Sequence, residues 1–275
     1  LREGDWEIKV KEQTIFMLWC YKFKLLLPVG GDTMNQFFAK DFGGGEFAFL
    51  GTAHLIALLS IVLFNIYLLR YKARSEPERM KIRWSMAIVL WINELGFHIW
   101  NASIGQWNIQ TMLPLHVCSV LVWLGGLMLV TKNYTIYEFA YFMGIGGALQ
   151  ALLTPDLGVY GFPHYRFFQT FISHGLIVTS AIYMTAVEGF RPTWKSFGRI
   201  FVGMNIYLVI VFFINQAIGS NYMFVAHKPE TASLLDVLPA WPWYILWLEA
   251  IGLLTCLILY IPFIIKDWRM KAQLV

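Results

Sequence analysis

Apolar residues fall along the chain in long runs separated by short charged clusters. Seven runs read as membrane-crossing helices, near residues 47–69, 84–100, 113–130, 137–153, 167–186, 200–218 and 244–265. Runs of about 18 residues or more match a hydrocarbon core of roughly 30 Å. The second and fourth runs are short for this and call for tilt, extension or a partly re-entrant path. Trp84, Trp100, Tyr137, Trp243 and Tyr244 flank the runs, where amphipathic rings anchor helices at a membrane interface. The pattern predicts an all-α polytopic membrane protein, with seven transmembrane helices forming a single domain over residues 34–275.

Charge sets the orientation. Segment 70–83 holds six Lys and Arg, segment 187–199 three, the tail after residue 265 three, and 131–136 one. The alternate loops hold only Lys40, Arg166 and Lys228. Because basic loops stay inside, this bias predicts the N-terminus outside and the C-terminus cytoplasmic. With 58% hydrophobic and 14% charged residues the chain is not a soluble domain, and its net charge of +4 resides in loops rather than on one nucleic-acid-binding face. Cys20, Cys118 and Cys256 have no disulfide or zinc-finger spacing.

The first 33 residues differ from the rest. Their apolar stretch carries Lys22 and Lys24 and lacks a signal-peptide cleavage site. Gly30-Gly31-Asp32 before Met34 can be encoded as GGA-GGT-GAT, a bacterial ribosome-binding site. Residues 1–33 therefore read as a translated leader, with the protein starting at Met34.

On this topology the intramembrane polar residues gather toward the outer half. His54 lies there on span one, Glu94 and His98 on span two, and His116 and Cys118 at the start of span three. Gln150 ends span four, His174 lies two turns into span five, Asn215 and Gln216 end span six, and Glu249 begins span seven. Asn65, Glu138 and Asn205 lie nearer the other side. Ionisable groups in a bilayer are costly and face protein or water, so several at one depth argue for a shared outward-facing cavity. The alternative is that residues near the interface reach water easily and need no role.

Glu94 and His98, four residues apart, share a helix face, either as a functional pair or as a structural hydrogen bond. Thr170 and His174 have the same spacing. His116 and Cys118, two apart, point in different directions on a regular helix. Pro114 fits the first turn of span three, which places Cys118 near a positive helix end that favours a thiolate; inert packing is the alternative. The six histidines, His54, His98, His116, His164, His174 and His227, include no chelating pair on one helix, so neither metal nor other cofactor is expected. Gly144, Gly146 and Gly147 allow close helix packing. The outer loops around 154–166 and 219–244 combine turn formers with aromatics, forming either a lid or a headgroup-level segment. They carry Arg166 and Lys228, cations suited to lipid phosphate.

Leu113-Pro114-Leu115-His116-Val117-Cys118, Gly146-Gly147-Ala148-Leu149-Gln150 with Pro155-Asp156, the 160–174 stretch, Gly219-Ser220-Asn221-Tyr222-Met223 and Trp241-Pro242-Trp243-Tyr244 together resemble the YwaF family of bacterial integral membrane proteins. The resemblance covers nearly the whole chain from Met34 and implies a multi-pass protein of the bacterial cytoplasmic membrane. That family is more distantly similar to eukaryotic multi-pass lipid acyltransferases that use a cysteine and a histidine, which would fall near Cys118 and His174.

Three functions are compatible with these residues. In the first, Cys118, His174, Glu94, His98 and His116 catalyse acyl transfer or hydrolysis on a membrane lipid, and Gln150, Arg166, Asn215, Gln216, Lys228 and Glu249 bind it. The second is transport or binding of a small polar solute, disfavoured by the off-centre polar depth and the lack of internal repeats. The third is a membrane scaffold or sensor using segment 70–83, which otherwise serves only to set topology.

Overall fold

A computed structural model describes residues 36–229 and 234–273. The expected leader over residues 1–33 lies outside the described residues. Seven long helices make up the fold, and the described residues contain no strand. They are α1 (Thr52–Ala73, its last turn 3₁₀), α2 (Glu76–Ser103), α3 (Val117–Thr131), α4 (Tyr134–Leu153), α5 (Tyr165–Ala186), α6 (Trp194–Ile218) and α7 (Trp243–Ala272).

Five of the seven, α1, α4, α5, α6 and α7, are long and apolar enough to cross a membrane. At 28 residues α2 has the length, but Arg79, Arg83, Glu94 and Asn101 interrupt its apolar run. The 15 residues of α3 span only about 22 Å. The short helix is thus the third, while the second extends well beyond the expected 84–100. The third starts late because Leu113 and Leu115 are held outside it. Tyr222 Oη accepts from Leu113 N–H at 2.7 Å, and Tyr207 Oη donates to Leu115 O at 2.8 Å. Pro114 therefore precedes the helix instead of opening it.

Two compact units divide the chain: residues 36–47 with Leu157–Phe168, and the remainder. In the smaller unit the segments are joined through their backbones, Phe47 N–H to Gly158 O at 3.0 Å and Gly161 N–H to Gly45 O at 3.2 Å. Gly161 must be glycine, since a Cβ there would lie 2.6 Å from Glu46 O. His164, fully buried, stacks on Tyr160 at 4.5 Å and pairs through Nε2 with Ala39 O at 3.0 Å.

The larger unit is the bundle. Its centre is α5, with 78% of its apolar window buried, against 11% for α1, 6% for α6 and 11% for α7. Helices in lipid gain little from burying apolar surface, so small residues and interhelical hydrogen bonds hold them together. Gly126 on α3 lets Trp91 of α2 close in; a Cβ there would lie 2.4 Å from the indole nitrogen. Helix α5 is tied to α1 by Asn65 Nδ2 donating to Thr179 Oγ1 (2.9 Å), to α2 by Asn93 Nδ2 donating to Gln169 O (3.0 Å), and to α4 by the Tyr137–Thr185 hydroxyl pair (2.9 Å). Within α4, residues Ala140–Gly144 form a π turn, a feature frequent beside functional sites.

Charged side chains cluster where α2 begins and α3 and α5 end, here called the basic end. Arg83, 4% exposed, meets Glu188 at 2.5 Å, Glu76 at 2.9 Å and Leu129 O at 3.0 Å. Lys132 approaches Glu188 at 2.6 Å, and Arg79 approaches Glu76 at 2.6 Å. Hydrogen bonds from Arg83 and Arg79 lower the Glu76 carboxyl to about 2. Glu138 is gripped by Arg199 and Ser196, and Arg191 holds Asp267 through two bonds of 2.7 Å.

Candidate functional site

At the opposite, histidine end the polar side chains are arranged differently. Glu94 is buried on α2, with His98 Nε2 3.6 Å from its Oε1. Trp107 Nε1–H donates to His98 Nδ1 at 3.1 Å. An indole can only donate, so Nδ1 is the bare nitrogen and the neutral ring's proton faces Glu94 from Nε2. His116 is the N-cap of α3, and its extended backbone frees it from the helical angular spacing expected for the His116/Cys118 pair. Its Nδ1 accepts from Met223 N–H at 3.3 Å, and its ring packs on Tyr222 and Phe224, each at 5.4 Å.

Cys118 is the second residue of α3, in the turn where backbone N–H groups lack helical partners. Its half-buried thiol lies within electrostatic range of Glu94. Its Sγ lies 4.0 Å from where a Cβ on Gly147 would stand, an ordinary contact distance, so the thiol sits beside Gly147 of α4. His174 on α5 is the opposite tautomer to His98. Its Nδ1 meets Thr170 O at 2.9 Å, and a carbonyl can only accept, so the proton is on Nδ1 and Nε2 is the basic nitrogen.

Gly147 opens onto a cleft of about 350 Å³ whose walls are α4, α6 and α7. Val117 and the 222–225 turn form its roof, with Gln150 and Glu249 beside them at the histidine end. No hydrogen bond or ion pair engages the Glu249 carboxylate among the described residues. Two polar groups deeper in the cleft bond within their own helices: Asn205 Nδ2 donates to Phe201 O (3.0 Å) and Thr255 Oγ1 to Ile251 O (2.9 Å). What remains below the roof is an apolar channel.

The roof is firmly built. Asn215, 1% exposed, donates from Nδ2 to Tyr222 O at 2.9 Å and accepts at Oδ1 from Ser220 Oγ at 2.7 Å and Tyr222 N–H at 2.9 Å. Tyr222 Oη donates to Ile109 O at 2.7 Å, Trp241 Nε1 donates to Val225 O at 3.1 Å, and Tyr244 Oη donates to Phe224 O. These bonds hold Met223 (φ 59°) and Phe224 (φ 53°) in the left-handed region, a costly conformation for bulky side chains.

Of the residues expected to form a site, Cys118, Glu94 and His98 come together, His116 adjoins the roof, and Gln150 and Glu249 stand in the cleft wall. Asn215 is committed to holding the 219–225 turn, and Gln216 faces outward, away from it. Lys228 donates to Leu238 O at 2.7 Å. Arg166 belongs to the smaller unit, where its N–H donates to His164 Nδ1 at 3.1 Å. His54 is a structural staple: Nδ1 accepts from Leu50 N–H at 3.1 Å and Nε2 donates to Leu152 O at 2.9 Å. Sequence reasoning missed Tyr207, Tyr222 and the lining of the cleft, although the Gly219-Ser220-Asn221-Tyr222-Met223 run had marked the turn as ordered.

A family model described as the TMEM164 family matches residues 49–260, more than three quarters of the chain. The chain belongs to the TMEM164 family. An uncharacterized protein of Treponema pallidum (strain Nichols) is 25% identical over 229 residues, covering 81% of this chain and 89% of the relative. No solved structure matches it. Family membership and the apolar helices make this an integral, multi-pass membrane protein.

Proposed function

We propose that the protein transfers or hydrolyses an acyl group of a membrane lipid, with Cys118 as nucleophile and His174 as general base. His174 Nε2 takes the thiol proton as Cys118 Sγ attacks the ester carbonyl. The C–O bond breaks, and the leaving alkoxide takes that proton from His174. A lipid hydroxyl or water then attacks the Cys118 thioester, giving up its proton to His174, and the thiol is restored. Glu94 and His98 position and polarise this centre from α2.

The observation that carries the proposal is the pairing of chemistry with access. The thiol stands in the first turn of α3, beside a glycine that opens onto an intramembrane cleft. The tautomer of His174 supplies the basic nitrogen the mechanism requires. Resemblance to the YwaF family, and through it to Cys/His lipid acyltransferases, points to the same two residues. A polar-solute pathway is a poor match for a cleft whose lower walls are apolar. Following the positive-inside bias, the histidine end faces outward and the basic end lies in the cytoplasm of a bacterial cell.

The test compares lipid acyl profiles of a deletion strain complemented with wild type, Cys118→Ala or His174→Ala. Both variants are expected to reproduce the deletion profile while reaching the membrane in normal amounts. Variants that restore the wild-type profile would end the catalytic reading.

A further inference from the structure

We infer that the cleft between α4, α6 and α7 is the binding site for one acyl chain of a membrane lipid. We further infer that the aromatic stack at its floor sets the longest chain it accepts. For its link to turnover the inference rests on the acyl-transfer reading; the binding itself can be tested without turnover.

Length is the first argument. On α6 the lining runs from Phe197 to Leu208, on α7 from Ile245 to Cys256. Eleven helical steps make about 16 Å, close to half of a roughly 30 Å hydrocarbon core and so to the depth of one leaflet. Polarity is the second. Gln150 and Glu249 stand only at the histidine end, and Asn205 and Thr255 bond within their own helices, so the cleft is amphipathic in the same sense as a lipid. Continuity with the bilayer is the third. The rest of α6 and α7 is exposed apolar surface, with 6% and 11% of their windows buried, so a lipid tail already bathes these walls.

The floor is a built feature. Phe197 lies flat on Trp194, with centroids 5.5 Å apart and planes 8° off parallel, and Phe142 braces it edge-on at 6.3 Å. A chain descending from the Cys118 level meets these rings after the length of the cleft. Gly252 lines the wall with open space where its Cβ would be, so a larger side chain enters the cleft without meeting protein.

The experiment uses purified full-length Cys118→Ala protein in detergent, which binds without turning over. Its probes are lysophospholipids that differ only in chain length, read by displacement of a fluorescent fatty acyl lipid. Affinity is expected to rise with chain length and then stop rising at a cut-off. Phe197→Ala should move that cut-off to longer chains, and Phe197→Leu should do the same to a smaller degree with the fold intact. Gly252→Leu should weaken every probe by about tenfold. Affinities that rise without a cut-off, or a cut-off unmoved by both Phe197 variants, would overturn the inference. A cut-off in a protein whose Cys118→Ala form leaves cellular lipids at wild type would retain the site and remove the reaction. Altered cellular lipids without a cut-off would do the reverse.

Discussion

The two ends of the bundle handle charge in opposite ways. At the basic end, Glu76, Arg79, Arg83, Lys132 and Glu188 form a closed network in which each charge faces an opposite one within 4 Å. At the histidine end, Glu249 has no protein partner among the described residues, and Glu94 stands beside His98 and Cys118. Around them Tyr207, Asn215 and Tyr222 fix the backbone. The first arrangement stabilises a junction of helices. The second keeps reactive groups available by assigning rigidity to other residues.

The contrast yields measurable differences, taken here from the largest. Arg83→Ala leaves Glu188, 1% exposed, with only Lys132 and the more distant Arg79, and should cost about 2–3 kcal/mol in detergent unfolding. Arg83→Met combined with Glu188→Leu should recover most of that loss. A cost under about 1 kcal/mol for the single change would mean that the network contributes nothing. Tyr222→Phe leaves Leu113 N–H and Ile109 O without their hydroxyl and should cost about 1–3 kcal/mol. It should also speed alkylation of Cys118, measured by mass spectrometry; an unchanged rate would show that the roof does not guard the thiol.

Acid should act on the basic end through Glu76. Its carboxyl, held near 2 when folded against an ordinary 4.5, stabilises the fold above 4.5 and loses that contribution as pH falls toward 2. Glu76→Gln should flatten the fall in unfolding temperature across that window, and an equally steep fall in the variant would refute the assignment. Smallest of all should be the stability effects at the histidine end. Cys118→Ala and Glu249→Gln should each stay within about 0.5 kcal/mol of wild type, since neither removes a protein hydrogen bond. A larger loss would make these residues structural and erase the contrast.

The five helices long and apolar enough to span were plain in the sequence because lipid imposes length and hydropathy on each helix separately. The start of α2 was hidden by the charges of Arg79 and Arg83, whose partner Glu188 is more than a hundred residues away. The late start of α3 was hidden because Pro114 suits a first helical turn; only Tyr207 and Tyr222 of distant elements hold its neighbours outside. Glu94 with His98 and the first-turn position of Cys118 could be read locally. The role of Asn215 could not, because it depends on a turn that doubles back after Gly219. Nor could the cleft, which is made by the spacing of α4, α6 and α7 and whose lining below Gln150 and Glu249 is mostly apolar.

The π turn at Ala140–Gly144 stores one surplus residue inside α4. Removing one residue from it would let the helix close into an unbroken α-helix whose two flanks keep their faces, because the wider turn already absorbs the extra residue. Tyr137 would keep its place against α5, and Gly147 and Gln150 would stay in the cleft wall. A one-residue deletion between that turn and Gly147, equally invisible to any hydropathy plot, has no such slack and would turn the rest of α4 by about 100°, carrying Gly147 and Gln150 out of the cleft wall.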